Sequence, residues 1–334
     1  MNGSEHPGGW REYRLGTMDR ALAGSDVLHP LQPEQPPPPR RSTAYQVLRA
    51  ARPTQWTKNV LVFVAPGAAG VLDHGRVALE SLAVFAIFCA AASAAYLVND
   101  TADAEADRAH PGKRQRPIAS GAVGPGVALT TAGLLVAAAF AGAWLLEGWQ
   151  LFAVIASYAA ITAAYSLWLK HEPVIELTAV AAGFVLRAIA GGIGTHVPLS
   201  SWFLVVTSFG ALFLVIGKRA GEHETLGEDR GSHRATLELY SPQFLRSALT
   251  LSAAGAVTTY CLWAFDRTGL MHRGAGHLVW IELSVAPVIT GVLYVLRILD
   301  AGKGGSPHDL ALEDRTLQVL ALVWALLVGL GVYA

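Results

Sequence analysis

The stretch YLVNDTADAEADRAHPGKRQRPIASG, residues 96–121, begins as the end of an apolar run and turns abruptly into charge. Four carboxylates lie between Asp100 and Asp107, and four basic residues lie between Arg108 and Arg116. Of all 334 residues, 52% are hydrophobic and only 15% are charged, whereas about a quarter are charged in an ordinary soluble domain. So dense a group of charges in so apolar a chain indicates a chemical site.

Long apolar segments with short polar breaks follow one another through most of the chain. About 20 apolar residues cross a bilayer as a helix, and no alternating strand pattern of useful length appears. We therefore predict an all-α integral membrane protein, with a bundle of nine transmembrane helices in residues 44–334. The predicted helices are 55–72, 77–99, 123–146, 149–169, 173–194, 201–217, 243–265, 278–299 and 315–334. The first helix is short and contains Pro66, which predicts that it is either kinked or only partly spanning.

Residues 1–43 differ in composition from the rest. They are polar, rich in Gly and Pro, and include four consecutive prolines at positions 36–39. Such a composition cannot bury a hydrophobic core, which predicts a disordered cytoplasmic tail. The segment also lacks the apolar stretch of a secretory signal.

The distribution of Lys and Arg orients the helices, because cytoplasmic loops carry the excess of these residues. With the N-terminus in the cytoplasm, that side carries 21 Lys and Arg and the opposite side carries 3, with Arg187 left inside a helix. Without the long N-terminal segment the loops still divide 13 to 3. We expect a multi-pass plasma-membrane protein whose N-terminus and residues 96–121 face the cytoplasm.

The acidic residues of this stretch share one helical face. If the second helix continues through Asp107, Asp103 is rotated about −60° from Asp100, and Asp107 about −20°. Asn99 lies on the same side, whereas Glu105 points roughly opposite. Three carboxylates this close repel one another, so cations or raised pKa values are needed to stabilise them together.

Hard oxygen ligands suit Mg²⁺, which usually binds through one or two carboxylates together with substrate phosphates. We therefore predict that Asn99, Asp100, Asp103 and Asp107 bind Mg²⁺ against a diphosphate. The structural alternative is a solvated helix end whose charges pair with Arg108 or Lys113.

Basic and polar residues on the same side of the membrane complete the predicted phosphate site. Arginine offers bidentate contacts to phosphate oxygens, and an arginine inside a membrane helix, such as Arg187, is a functional candidate by default. An internal ion pair is the alternative role for Arg187, and an interfacial anchor is the alternative for the loop after Arg108. The predicted substrate-binding residues are Lys58, Asn59, Asn99, Lys113, Arg114, Arg116, Lys170, Arg187, Lys218 and Arg219.

The segment NDTADAEAD, residues 99–107, resembles the first Asp-rich motif of the UbiA-type intramembrane prenyltransferases. The resemblance covers roughly residues 45–334 and implies nine transmembrane helices. It is closer still to the actinobacterial decaprenyl-phosphate phosphoribosyltransferase branch of that family. The residues that carry it are RPTQWTKN (52–59), the 96–121 stretch, LKH (169–171), LRAIAGG (186–192), PLSSWF (198–203) and GKRAGE (217–222).

This resemblance implies transfer of 5-phosphoribosyl from phosphoribosyl diphosphate to a polyprenyl (decaprenyl) phosphate, with release of pyrophosphate, for cell-wall arabinan precursors of arabinogalactan. Asp100, Asp103 and Asp107 would act in catalysis through Mg²⁺, and Glu176 would stabilise an oxocarbenium-like state. Lys218, Arg219 and Arg187 would bind the lipid phosphate or the 5-phosphate. The expected partners are the two substrates and membrane lipid, with no nucleic acid, and self-association into a homo-oligomer is left open.

Two other functions remain open at this stage. A Mg²⁺-dependent prenyltransferase would move a polyprenyl group from its diphosphate to an aromatic acceptor. Such enzymes typically have a second Asp-rich motif after the sixth helix, where this chain has Lys218, Arg219 and Glu222. A transporter would need polar residues at mid-depth on several helices, and apart from Arg187 few are visible.

Overall fold

The computed structural model describes residues 42–225, 235–270, 275–302, 310 and 313–334. The predicted disordered tail therefore lies outside the described residues up to position 41. Its last two residues belong to the first helix instead, because the Ser42 hydroxyl caps a helix that begins at Thr43 by accepting from the Tyr45 N–H. A side-chain cap of this kind satisfies one of the unpaired N–H groups at a helix start.

Helices make up the regular structure throughout the described residues, as the all-α prediction requires. The α-helices are α1 (Thr43–Ala50), α2 (Val64–Ala69), α3 (Gly75–Ala102), α4 (Ala104–Ala109), α5 (Pro125–Leu167), α6 (Ile175–Gly194), α7 (Ser201–Thr225), α8 (Ala235–Glu238), α9 (Pro242–Leu270), α10 (Ala275–Leu283), α11 (Val285–Asp300) and α12 (Arg315–Tyr333). Two 3₁₀ helices, Pro53–Phe63 and Leu169–His171, lie before α2 and α6.

Seven helices in the described part of the chain are long and apolar enough to cross a membrane. The predicted count of nine is therefore not confirmed. One of the seven, α5, is 43 residues long, about twice the length that spans a bilayer. The integral membrane class is confirmed, and many large apolar side chains point outward, among them Leu134 and Leu251, which are 68% and 70% exposed.

Helix α5 is broken at Glu147 and Gly148. Gly148 has φ 61° and ψ −142°, a conformation open essentially to glycine alone. The rings of Phe140 and Phe152 are 5.1 Å apart, although 12 residues of straight helix would separate them by about 18 Å. The two arms therefore fold back on each other, which matches the two helices predicted over 123–146 and 149–169.

The first predicted helix, 55–72, is wrong as a continuous α-helix. A 3₁₀ helix of 11 residues ends at Phe63, and only six residues of α-helix follow. Pro66 lacks the N–H that would bond the Val62 carbonyl in an α-helix. That carbonyl lies directly against Gly191 of α6, where an added Cβ would collide with it.

This close approach positions the segment that carries Arg52 and Lys58. Val62 is fully buried in a core cluster formed mainly by α3, α5 and α6. The first segment thus packs against α6 through its backbone, since glycine alone leaves room for the carbonyl.

We predict that Gly191→Ala destabilises the protein by about 2 kcal/mol, because overpacking a filled interior forces backbone shifts. The apparent melting temperature of the purified protein in detergent measures this loss. Gly210→Ala is the matched control, since its Cβ meets no atom within 4 Å and alanine favours a helix over glycine by about 1 kcal/mol. Equal melting temperatures for the two variants would contradict the packing account.

Candidate functional site

A pocket of about 580 Å³ lies at the charged end of α3. Its wall carries six Lys and Arg side chains but only two carboxylates, so its surroundings favour a polyanion. The polar lining residues are Arg52, Lys58, Tyr96, Asn99, Asp103, Asp107, Lys113, Arg116, Tyr158, Thr162, Tyr165, Ser166, Lys170, His171 and Arg187. The remaining lining comes from alanines, Ile161, Val180, Gly183 and Phe184.

The acidic wall forms where α3 ends. Asp103 leaves the helical conformation with φ −88° and ψ 4°, and α4 begins at the next residue. The Asp103 N–H still donates to the Asn99 carbonyl at 2.9 Å, and the Asp107 N–H donates to the Asp103 carbonyl at 2.8 Å. This bonding carries the chain across the break, so Asn99, Asp103 and Asp107 all reach the pocket.

Asp100 is held differently from the other three residues of its predicted face. Its buried carboxylate accepts from one Arg52 nitrogen at 2.6 and 2.8 Å, and from Arg116 at 3.3 Å. It is not among the described residues that line the pocket. The structure therefore does not bring Asp100 to the wall with the other predicted ligands. Its charge is compensated by Arg52 and Arg116, not by Arg108 or Lys113 as the structural alternative supposed.

Arg116 connects Asp100, which lies behind the pocket wall, with Asp107, which lines the pocket. Its guanidinium also donates to Asp107 at 2.7 Å, so one cation bridges the buried Asp100 and the pocket-facing Asp107. Arg52 has a left-handed backbone, with φ 54°, which costs a non-glycine residue about 1–3 kcal/mol. The ion pair to Asp100 and the Tyr96 ring, whose centroid is 4.8 Å from the guanidinium carbon, both hold the side chain of this strained residue.

The oxygen atoms of Asn99, Asp103 and Asp107 suit a metal ion whose other ligands come from water and from the substrate. The Asn99 amide donates to Asp103 at 3.0 Å, and Lys170 lies 3.8 Å from the other Asp103 oxygen. Among the described residues, no three Asp, Glu, His or Cys side chains form a group that would hold a metal ion. Two pocket carboxylates and one amide fit Mg²⁺, which usually keeps waters and substrate phosphates as its other ligands.

Arg187 lies on the membrane side of the pocket and is 7% exposed. Its guanidinium donates to the Asn59 side-chain oxygen at 2.7 Å, the Gly183 carbonyl at 2.6 Å and the Tyr158 hydroxyl at 3.1 Å. It also lies over the Tyr158 ring, at 4.8 Å from the centroid. All these partners are neutral, so the internal ion pair considered for Arg187 is not found among the described ion pairs. Asn59 orients Arg187 and is itself outside the pocket lining.

Several pocket residues were missed by sequence reasoning. Tyr158, Thr162, Tyr165 and Ser166 all line the pocket, and their spacing of four, seven and eight residues from Tyr158 places them on one face of α5. That hydroxyl stripe within an apolar run was the available signal. Arg52, Tyr96 and His171 were also missed as lining residues.

Glu176 and Arg219 form a buried ion pair outside the pocket. The Glu176 carboxylate, which is fully buried, accepts from two Arg219 nitrogens at 2.7 and 2.9 Å. Arg219 also donates to Glu222 at 2.9 Å. The predicted roles of Glu176 in catalysis and of Arg219 in phosphate binding are therefore not supported by their positions, because each charge is compensated by the other.

Two more predicted substrate-binding residues also lie away from the pocket lining. Arg114 is exposed, and Lys218 is half exposed with its ammonium 3.7 Å from Glu222. The pocket does bring together Lys58, Asn99, Lys113, Arg116, Lys170 and Arg187.

A second cavity, of about 320 Å³, adjoins the pocket between α5, α6 and α7. Ile161 lines both cavities. The second is otherwise apolar, since the hydroxyls of Thr178 and Ser208 donate to carbonyls of their own helices. Its lining residues are Ile161, Thr178, Ala181, Ala182, Val185, Leu186, Ser208 and Leu212. We call it the apolar groove.

An all-helical membrane bundle with an acidic motif and a cationic pocket at one end defines a class of membrane enzymes that act on phosphorylated substrates. Residues 60–313 match the UbiA prenyltransferase family. The chain belongs to this family, as the resemblance of residues 99–107 predicted.

Two curated relatives align over nearly their whole length. The chain is 41% identical over 316 residues to a decaprenyl-phosphate phosphoribosyltransferase of Mycolicibacterium smegmatis, covering 92% of this chain and 99% of the relative. It is 44% identical over 290 residues to the protein of that name in Mycobacterium tuberculosis, covering 86% and 94%. A UbiA homologue from Archaeoglobus fulgidus, solved with GPP and Mg²⁺, shares the fold with a TM-score of 0.61 at 20% identity, covering 86% of this chain and 98% of that one.

We predict that Asp100→Asn lowers the free energy of unfolding by about 2 kcal/mol. A fully buried pair that loses one partner costs about 3–5 kcal/mol, and the Arg52 side chain, which is 27% exposed, reduces the loss. Thermal unfolding in detergent measures it. Arg76→Ala is the control, because the Arg76 side chain in its pair with Glu80 is 83% exposed and its loss should lower the melting temperature less than Asp100→Asn does. Equal shifts would contradict the special role of Asp100.

Proposed function

We propose that this protein transfers 5-phosphoribosyl from phosphoribosyl diphosphate to a polyprenyl phosphate and releases pyrophosphate. The observation that carries the proposal is the pocket with six Lys and Arg against two Asp, beside an apolar groove that shares Ile161 with its lining. The reaction brings together three phosphate-bearing groups and a long apolar tail, which such a site accommodates. The same activity stands in the names of the mycobacterial relatives.

In this proposal the cytoplasmic end of the pocket holds the diphosphate of the donor. Lys113 and Arg116 face the pocket beside Asn99, Asp103 and Asp107, which are the residues that would hold Mg²⁺. When bound there, Mg²⁺ neutralises the charge that develops on the leaving group. Asp100 supports this end indirectly, since it fixes the guanidinium groups of Arg52 and Arg116.

Arg187 is assigned to the phosphate of the lipid acceptor. Because the partners of Arg187 among the described residues are all neutral, its buried charge is not compensated by them. Such a charge in a membrane bundle is costly unless an anion joins it. Gly183, Phe184 and Arg187 face the pocket, while Ala182 and Val185 of the same helix face the apolar groove. If the polyprenyl tail lies in that groove, the lipid would pass Ile161, which lines both cavities, and its phosphate would reach Arg187.

The chemistry needs little proton transfer. The bond from ribose C1 to the diphosphate oxygen breaks, and an oxygen of the polyprenyl phosphate forms the new bond to C1. That oxygen is already anionic near neutral pH, so no strong general base is required. The carboxylates of Asp103 and Asp107 are the anionic groups on the pocket wall that can stabilise positive charge on the ribose ring.

We place the pocket on the cytoplasmic face of the plasma membrane. The excess of Lys and Arg on the side of the N-terminus, 13 against 3 in the loops alone, supports this orientation. Phosphoribosyl diphosphate would then enter from the cytoplasm. The product would serve as a precursor of the arabinose donor for cell-wall polysaccharide.

We predict that the purified protein, given phosphoribosyl diphosphate, decaprenyl phosphate and Mg²⁺, forms lipid-linked phosphoribose and pyrophosphate in equal amounts. Asp103→Asn should lower kcat more than about tenfold, the effect of losing about 1.4 kcal/mol in the transition state, and should raise the Mg²⁺ concentration needed. Glu105→Gln is the matched control, because Glu105 is exposed and outside the pocket lining.

No product with phosphoribosyl diphosphate would overturn the proposal. Product formation from geranyl diphosphate and an aromatic acceptor would instead identify a prenyltransferase.

We predict that Ala182→Trp raises the KM for decaprenyl phosphate about tenfold, because excluding two methylene groups from the groove costs about 1.6 kcal/mol. The KM for phosphoribosyl diphosphate should not change. Leu134→Trp, on the outward face of α5, is the control for added bulk. If Ala182→Trp leaves the acceptor KM unchanged, the tail lies elsewhere.

A further inference from the structure

The turn between α5 and α6 carries two pocket residues on a strained backbone. Lys170 and His171 both line the pocket, and the Lys170 ammonium reaches to 3.8 Å from Asp103. Three residues later, Val174 has φ 66° and ψ −46°. A positive φ is rare for any β-branched residue, so another part of the structure must hold this turn in place.

Val174 is the central residue of a γ-turn. The Ile175 N–H donates to the Pro173 carbonyl across it at 2.7 Å. The form of this turn with positive φ is the rare and strained one, and backbone strain of this type costs about 1–3 kcal/mol. Helix α6 begins at once, at Ile175, so the strained residue sets the angle at which the pocket-lining turn leaves the helix.

Beside its own backbone hydrogen bonds, such as that from the Glu176 N–H to the Glu172 carbonyl at 3.0 Å, the turn has a side-chain contact from 66 residues further along the chain. The Val174 N–H donates to the Tyr240 hydroxyl at 2.8 Å. Tyr240, in the segment between α8 and α9, is 4% exposed and stacks on Phe244 with the ring centroids 5.6 Å apart. Burial raises the pKa of the Tyr240 phenol, so it remains protonated and can accept and donate at the same time.

The same hydroxyl reaches the buried ion pair. It donates to a Glu176 oxygen at 3.5 Å, and that oxygen accepts from Arg219 at 2.7 Å. Glu176 lies two residues after the strained Val174, and Arg219 lies in α7. Three separate segments thus meet at the start of α6, and Tyr240, Glu176 and Arg219 all lie outside the pocket lining.

We infer that Tyr240 is a positioning residue. Together with the Glu176–Arg219 pair, it holds the segment 169–174 so that Lys170 and His171 face the pocket. The inference rests on the proposed function only for the identity of the donor. A positioning role accounts for the buried Glu176 and the strained Val174 beside this turn, because the turn supplies Lys170, one of the six cations of the pocket.

The test is the affinity of the purified protein for pyrophosphate in the presence of Mg²⁺, with the KM for phosphoribosyl diphosphate measured in parallel. Tyr240→Phe should raise the pyrophosphate Kd about tenfold and raise the donor KM similarly, with kcat changed less than about twofold. Adding Val174→Gly should restore both values to within about twofold, because glycine adopts a positive φ without strain.

The link to Lys170 is tested by combination. If Tyr240 acts through Lys170, Tyr240→Phe with Lys170→Met should bind pyrophosphate no more weakly than Lys170→Met alone. Tyr260→Phe is the matched control, since it removes a buried phenol that bonds Ser284 at 2.7 Å and Trp324 at 2.8 Å outside the pocket lining. It should lower the melting temperature and leave the pyrophosphate Kd unchanged.

The outcomes separate this inference from the proposed function. A lower melting temperature for Tyr240→Phe with an unchanged Kd, or a loss of affinity that Val174→Gly does not rescue, would overturn the positioning role. If the positioning role fails in this way but the wild-type protein still turns over phosphoribosyl diphosphate, the proposed function is supported. Wild-type protein that binds pyrophosphate but forms no lipid-linked phosphoribose would overturn the function, while the positioning role stands on the Kd values.

Discussion

The ion pair between Arg52 and Asp100, in which one arginine nitrogen donates to both carboxylate oxygens, is the interaction on which the rest of the site depends. It joins the segment before the first 3₁₀ helix to the end of α3. Arg116 shares the Asp100 carboxylate and extends the network to Asp107 on the pocket wall. Two arginines and two carboxylates therefore stabilise one another where a lone carboxylate would face a desolvation penalty of several kcal/mol. Without Asp100, Arg52 would lose its ion pair and Arg116 would keep only its contact with Asp107.

The membrane imposes the second constraint. Arg187 lies inside a helix, with hydrogen bonds to Asn59, Gly183 and Tyr158 but without a carboxylate among the described ion pairs. These neutral partners accept hydrogen bonds from the guanidinium group but do not compensate its positive charge. The Glu176–Arg219 pair shows the opposite arrangement, with both charges compensated. The contrast separates Arg187, which we propose binds an anionic ligand, from Arg219, whose charge is paired within the fold.

The sequence predicted the helical membrane class, the fold-back at residues 147–148 and the common location of Asn99, Asp103 and Asp107, because these follow from apolar length and helical spacing. It did not predict that Asp100 pairs with Arg52, since spacing along one helix carries no information about a partner 48 residues earlier. For the same reason it placed Glu176 and Arg219 in the site, although they pair with each other across 43 residues. The 3₁₀ segment was missed because the local sequence carries no information about its packing against α6, where Gly191 leaves room for the Val62 carbonyl.

The central claim is that a diphosphate binds between the acidic end of α3 and the loop that carries Lys113 and Arg116. Structure determination of the purified protein with Mg²⁺ and pyrophosphate tests this most directly. The account predicts diphosphate density in contact with Lys113 and Arg116, with the metal beside Asp103 and Asp107. Diphosphate bound at Lys218, or anywhere outside the 580 Å³ pocket, would contradict it.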